Sequence, residues 1–170
     1  MSGRVLVTGA TGFIGGMLAA RLAADGYDVR CLVRSAAGAR AQALERAGFE
    51  LRVGDVLHYD SLRGAGRGID AAYYLIHSMG RGGPRDFAPR ERASAVAFAR
   101  MAREEGIERV MYLGGLGDRP HSEHLRSRHE TALLLRRHGP PLTYSGPGWW
   151  SGRKASPTGR CDTSSSDCRR

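Results

Sequence analysis

At 170 residues, with 41% apolar and 25% charged side chains, the chain has the length and balance of one globular domain with a real core. No run approaches the roughly 20 consecutive apolar residues of a membrane span, and the N-terminus enters a strand pattern without a charged-then-apolar leader. A cytoplasmic protein with no membrane contact is expected. The net charge of +9 does not point to nucleic acid, because 25 of the 26 basic residues are arginine and lie in nearly every segment. No basic helix face carries interleaved aromatics, and no zinc-finger or RNA-recognition signature is present. Solvated surface charge, with the arginine bias of a GC-rich coding sequence, accounts for the composition.

In chain order, "RVLVT" (4–8) predicts a short apolar strand. "FIGGMLAARLAADG" then shows helical spacing, with Ile14, Leu18 and Leu22 on one face and Ala19 and Ala23 filling it. Gly26 ends that helix. "YDVRCLVRS" (27–35) predicts a second strand, with Cys31 a reduced, buried thiol. "ARAQALERAG" reads as a short helix stopped by Gly48, "FELRVGD" as a third strand, and "SLRGAGRG" as a helical turn and loop. "IDAAYYLIHS" (69–78) predicts a long strand covered on both faces. After the loop "SMGRGGPRD" comes the longest helix, 87–106, whose predicted face is Ala93, Val96, Ala97, Arg100, Met101 and Glu104. "IERVMYLGG" predicts a fifth strand, "SEHLRSRHETALLLRRHG" a helix over 122–139, and "PLT" the opening of a sixth strand. Alternating strands and helices in this order predict an α/β, Rossmann-like doubly wound parallel sheet, cut short at the sixth strand.

Gly9, Gly12 and Gly15 stand in the spacing G-x-x-G-x-x-G between a strand and a helix, the context that gives the motif meaning. Gly9 suits a tight turn, Gly12 the approach of backbone to a pyrophosphate, and Gly15 close helix–strand packing. The helix N-terminus then offers free N–H groups and a positive dipole end to phosphates. An acidic residue at the end of the second strand would select the ribose 2′-hydroxyl of NAD. Arg34 stands there instead, followed by Ser35, and its planar guanidinium suits the 2′-phosphate of NADP. NADP is therefore preferred over NAD, although in an arginine-rich chain the same residue also reads as a solvated loop cation. The cysteines show no disulfide framework, and His121, His124 and His129 show no metal-ligand spacing, so no metal site is expected.

"VTGATGFIGG", "CLVRS", "GDV", "AAYYLIHSMG" and "RVMYLGGLG" together resemble the atypical short-chain dehydrogenase/reductase superfamily, nearest its bacterial NAD(P)H-binding, epimerase/dehydratase-like branch. The resemblance runs from Arg4 to about Thr143. It implies a nicotinamide dinucleotide as partner, with Thr11, Phe13 and Ile14 joining the three glycines around it. It also implies that Asp55, beside Val56, accepts a hydrogen bond from the adenine amino group; a turn-initiating Asp is the alternative. His77 and Ser78 leave the fourth strand at its carboxyl end, where such sheets bind ligands. Catalytic members use a serine after the fifth strand and Tyr-x-x-x-Lys on the next helix. Here Gly114 and Gly115 follow the strand, and His124 and Arg128 take the places of tyrosine and lysine. A histidine is a competent acid/base near neutral pH, so a variant reductase or epimerase-like enzyme and a binding module without turnover both remain open. The small-molecule substrate is unidentified.

From Tyr144 the pattern breaks: "YSGPGWWSGRKASPTGRCDTSSSDCRR" holds both tryptophans, the only lysine and two of the three cysteines. Codons for Tyr, Trp, Cys and most Ser begin with T. In a frame shifted by one base those Ts become middle bases, and a middle T always encodes an apolar residue. With permitted synonymous codons, the shifted frame continues "PLT" into an apolar strand and an amphipathic helix. Residues 1–143 are thus expected to be a dinucleotide-binding domain, and 144–170 an out-of-frame, disordered tail, the whole being the cofactor half of a longer protein. A tail of Ser, Gly, Arg and Pro cannot offset roughly 1–2 kcal/mol of backbone entropy per ordered residue. Amide hydrogen exchange should be fast from about Gly152 onward and slow in the strands through Leu113; a protected tail would overturn the frame argument.

Overall fold

The apolar runs assemble into a single parallel sheet in the computed structural model, which describes residues 3–76, 87–114 and 123–145, without the side chains of Phe87, Glu123 and His124. Its strands are β1 (Arg4–Thr8), β2 (Asp28–Val33), β3 (Glu50–Val53), β4 (Ala71–Tyr74), β5 (Arg109–Leu113) and β6 (Leu142–Ser145), in the order β3-β2-β1-β4-β5-β6. Helices α1 (Phe13–Ala24), α2 (Ala39–Arg46), α3 (Phe87–Glu104) and α4 (Glu123–His138), with a 3-10 turn at Tyr59–Leu62, make the crossovers. This is the expected Rossmann-like α/β fold. The strand order reverses beside β1, so the β1 and β4 carboxyl ends diverge into a crevice. No helix among the described residues is long and apolar enough to cross a membrane.

Alternate residues of each strand feed two cores. Val5, Val7, Val29 and Cys31 pack under Ala19 and Leu22 of α1, with Ala41 of α2. Leu6, Ala72, Tyr74, Val110 and Tyr112 face the opposite layer, where Phe98 of α3 and Leu135 of α4 close over them. The Tyr74 ring lies 4.9 Å from Phe98 and 6.0 Å from Tyr112, centroid to centroid. Burial pushes the Cys31 thiol up to about 11 and the Tyr112 hydroxyl up to about 12, so both stay protonated at neutral pH.

Several expectations shift. On α1 the buried residues are Gly15, Ala19 and Leu22, while Ile14 and Ala23 are exposed; the helix turns its glycine inward to approach β1. On α3 the buried stripe is Glu91, Ser94, Ala95, Phe98, Ala99, Met101 and Ala102, so of the predicted face only Met101 is fully buried. Alanines all round this helix blur its periodicity. Its buried polar residues are satisfied locally: Ser127 Oγ of α4 donates to Glu91 Oε2 at 3.2 Å, and Ser94 Oγ donates to the Arg90 carbonyl at 2.8 Å. β4 is shorter than 69–78, since β1 leaves the sheet at Thr8 and the ladder between them stops at the Val7–Tyr73 pair. β6 continues past Thr143, pairing Tyr144 with Tyr112 and Ser145 with Leu113.

The crossover from β3 to β4 has no helix beyond the 3-10 turn, and charged groups hold it. Arg30, buried on β2, donates from Nη1 to the carbonyls of Ala65 (2.9 Å) and Arg67 (3.0 Å), while its Nε lies 2.9 Å from Glu50. From the other side, the Glu105 carboxylate accepts the N–H groups of Gly64 and Gly66.

Phe98 has no solvent exposure and meets Tyr74 directly. Phe98→Ala should therefore cost about 3–5 kcal/mol by lost burial and a cavity. Urea denaturation measures this, and an unchanged midpoint would show that the ring does not carry the α3 layer.

Candidate functional site

At the carboxyl end of β1 the backbone turns sharply. Thr8, fully buried, ties the strand to its neighbour: its Oγ1 donates to the Tyr73 carbonyl and accepts the Leu75 N–H, each at 3.0 Å. Gly9 follows with φ of +70°, a left-handed conformation that glycine adopts without cost. An added Cβ on Gly9 would stand 2.9 Å from the Leu75 carbonyl oxygen, so conformation and space both require glycine. Gly12 begins α1 with no side-chain cap, and the first turn carries no acidic residue. The N–H groups of that turn are left for an outside acceptor. Gly15 lies directly against the Gly9 carbonyl, leaving no room for a side chain.

A cleft of about 440 Å³ opens beside this turn. Gly9, Thr11 and Gly12 form one wall, Arg34 closes the β2 end, and Asp55 and Val56 follow β3. Leu75 and Ile76 form the β4 side, and Arg90 and Ser94 enter from α3. Thus six of the residues singled out from sequence, Gly9, Thr11, Gly12, Arg34, Asp55 and Val56, line one cavity. Phe13 and Ile14 do not line it; they stand on the outer side of α1, 82% and 55% exposed. Gly15 acts from beneath the turn. His77 and Ser78 lie outside the described residues. His124 falls on the first turn of α4, its side chain outside the described set. Arg128 is half-buried on α4 and is not a lining residue; its carbonyl accepts the Tyr112 hydroxyl at 3.3 Å.

Asp55 already performs the turn role: its Oδ1 accepts the Leu57 N–H at 3.0 Å, and its own N–H donates to Ser61 Oγ at 2.9 Å. Its Oδ2 has no partner among the described residues, so the carboxylate retains an acceptor on the cleft. Three contributors escaped the sequence reading. Thr8 looks like an ordinary strand residue. Arg40 of α2 donates to the Thr11 carbonyl at 3.1 Å, holding the glycine turn from outside. Arg90 is one arginine among many on α3. Only the proximity of distant segments reveals them. At Gly114 an added Cβ would collide with the Tyr144 ring, which stacks on Tyr112 at 5.9 Å. The position after β5 therefore has no space for a serine in this arrangement.

Gly15→Ala tests the packing of the turn. Alanine in a helix interior normally gains up to about 1 kcal/mol over glycine, but here the methyl group meets backbone. The thermal midpoint should fall; a rise would show that α1 can withdraw from the turn.

The sequence profile of the NmrA-like family matches residues 1–146. An uncharacterized protein of Sinorhizobium fredii, y4nL, is 30% identical over 136 residues, covering 71% of this chain and 37% of that protein. Among solved structures, the Citrobacter sp. triphenylmethane reductase complexed with NADP(H) superposes with a TM-score of 0.67 at 24% identity, covering 85% of this chain and 48% of that one. The Bordetella bronchiseptica enzyme WbmG in complex with NAD gives 0.70 at 17% identity, covering 85% and 52%. The chain spans about half the length of these solved structures. Over nearly all of its patterned length, from the first strand through the sixth, this chain belongs to the NmrA-like family.

Proposed function

We propose that the chain binds a nicotinamide dinucleotide in the cleft at the β1–α1 turn, with NADP preferred over NAD. The observation that carries this reading is the convergence on one cavity of a glycine turn, an uncapped helix N-terminus, Arg34 and Asp55. The fit is specific to the parts of such a ligand. Gly9 and Gly12 line the cleft and bring no side chain to the wall where a diphosphate would lie, and the α1 N–H groups supply donors and a favourable dipole end. The free oxygen of Asp55 accepts from an adenine amino group. Arg34 is exposed at the β2 end with no carboxylate partner among the described residues, so its fork is available to a 2′-phosphate.

When bound, the nicotinamide supplies hydride transfer. The residues lining the cleft bind and orient, and the places of the catalytic tyrosine and lysine on α4 are held by His124 and Arg128. Gly114 leaves the position after β5 without a hydroxyl, and no Tyr-x-x-x-Lys stands on α4. We therefore assign this chain binding without turnover, as the cofactor-holding part of a longer reductase- or epimerase-like protein. The end of the family match at residue 146 supports a boundary near 143 between this domain and the tail.

Calorimetric titration with NADP and NAD, repeated on Arg34→Asp, tests the assignment. Hydrogen bonds to charged groups contribute about 1.5–3 kcal/mol. Losing one, with a carboxylate now facing the phosphate, should weaken NADP binding by about 10- to 100-fold while NAD holds or improves. Equal affinities for the two nucleotides before and after the change would overturn the preference.

A further inference from the structure

We infer that Arg90 is a dinucleotide-binding residue whose guanidinium engages the diphosphate shared by NAD and NADP, so that it sets affinity for both without choosing between them. The inference rests on the dinucleotide reading of the cleft and adds a second cation to it, from the opposite layer of the fold. Of the described charged residues lining the cavity, Arg34 and Asp55 sit at the β2 and β3 ends, and Arg90 comes from α3. Among the described residues the cavity lining thus carries two positive side chains and one negative, an excess suited to an anion.

The surroundings of Arg90 separate it from Arg92 and Arg100 further along the helix. Arg92 pairs with Glu130 of α4 at 2.7 Å, and Arg100 pairs with Glu104 while lying 4.7 Å from the centre of the Tyr59 ring. These side chains are committed to the α3 surface. Arg90 is half-buried and has no carboxylate partner among the described residues. Partly removing a guanidinium from water without a counter-charge is unfavourable, and an anion arriving in the cleft relieves that cost. Its backbone is fixed for the task, since Ser94 Oγ donates to the Arg90 carbonyl at 2.8 Å and Ser94 is itself buried against the cleft.

The two cations have separable roles. Arg34 stands where the 2′-phosphate distinguishes the nucleotides. The uncapped end of α1 faces the cleft from one layer and Arg90 from the other, so an anion between them receives backbone N–H donors on one side and a guanidinium on the other. The group between the two ends of a dinucleotide is its diphosphate, which NAD, NADP and ADP all carry and adenosine does not.

The test is titration of the full chain, wild type and Arg90→Gln, with NAD, NADP, ADP and adenosine. The expected result is a loss of about tenfold or more for the first three, by similar factors, with adenosine unaffected. Arg90→Lys, which keeps the charge and loses the planar fork, should fall between wild type and Arg90→Gln. Unchanged ADP binding would overturn the inference. Equal losses for ADP and adenosine would overturn it too, assigning Arg90 to the base, and a loss confined to NADP would assign it to the 2′-phosphate. Matching circular dichroism melts for the variants exclude misfolding as the source of a loss. Failure of the wild type to bind either dinucleotide would instead refute the parent reading, so the two failures are distinguishable.

Discussion

The contact on which the site depends is backbone against backbone: the α carbon of Gly15 on the carbonyl of Gly9, with no side chain between them. It draws the first turn of α1 down onto the end of β1. The direction of the helix axis and the placement of its uncapped N–H groups follow from that one approach. Thr8 anchors the turn from the neighbouring strand, and the left-handed Gly9 lets the chain reverse before it meets Leu75. Arg40 then holds the outer side of the turn through the Thr11 carbonyl. A cavity built in this way is shaped before any ligand arrives, which limits the ordering cost that binding must overcome.

The two layers contribute different things to the cleft. The α1 side offers backbone donors and conformation, features that suit an anion whatever carries it. The strand ends and α3 offer side chains: Arg34 and Asp55 from the former, Arg90 from the latter. Such division is common where glycine turns meet phosphate, because a turn that must be free of side chains cannot also carry specificity. Arg34, Asp55 and Arg90 line the cleft, each from a different part of the chain.

Much of this was legible from the residues alone. The glycine spacing between an apolar strand and an amphipathic helix located the turn, and Arg34 and Asp55 followed from their places after β2 and β3. The misreadings have physical causes. On α3, small residues on every side gave no clear stripe, and the buried Glu91 and Ser94 are satisfied by partners in α4 or one turn back, which no pattern of hydropathy reveals. On α1, Ile14 drew attention to the wrong face because the true contact belongs to a glycine, which has no hydropathy to read. Thr8, Arg40 and Arg90 act through segments far away in sequence. The sixth strand opens at "PLT" as expected and runs on through Tyr144 and Ser145, which find their ladder on β5 despite the change in composition.

The crossover between β3 and β4 has a consequence of another kind. Arg30 and Glu105 grip it by main-chain atoms, one taking carbonyls at 65 and 67, the other taking N–H groups at 64 and 66. Those contacts are blind to the identity of outward-facing side chains such as Arg63, but they depend on the count of residues between them. One inserted residue would put carbonyls where Glu105 needs donors, or carry them away from Arg30. Most surface loops accept insertions readily. This one is a fixed-length spacer, open to substitution at exposed positions such as Arg63 and Arg67 and closed to growth.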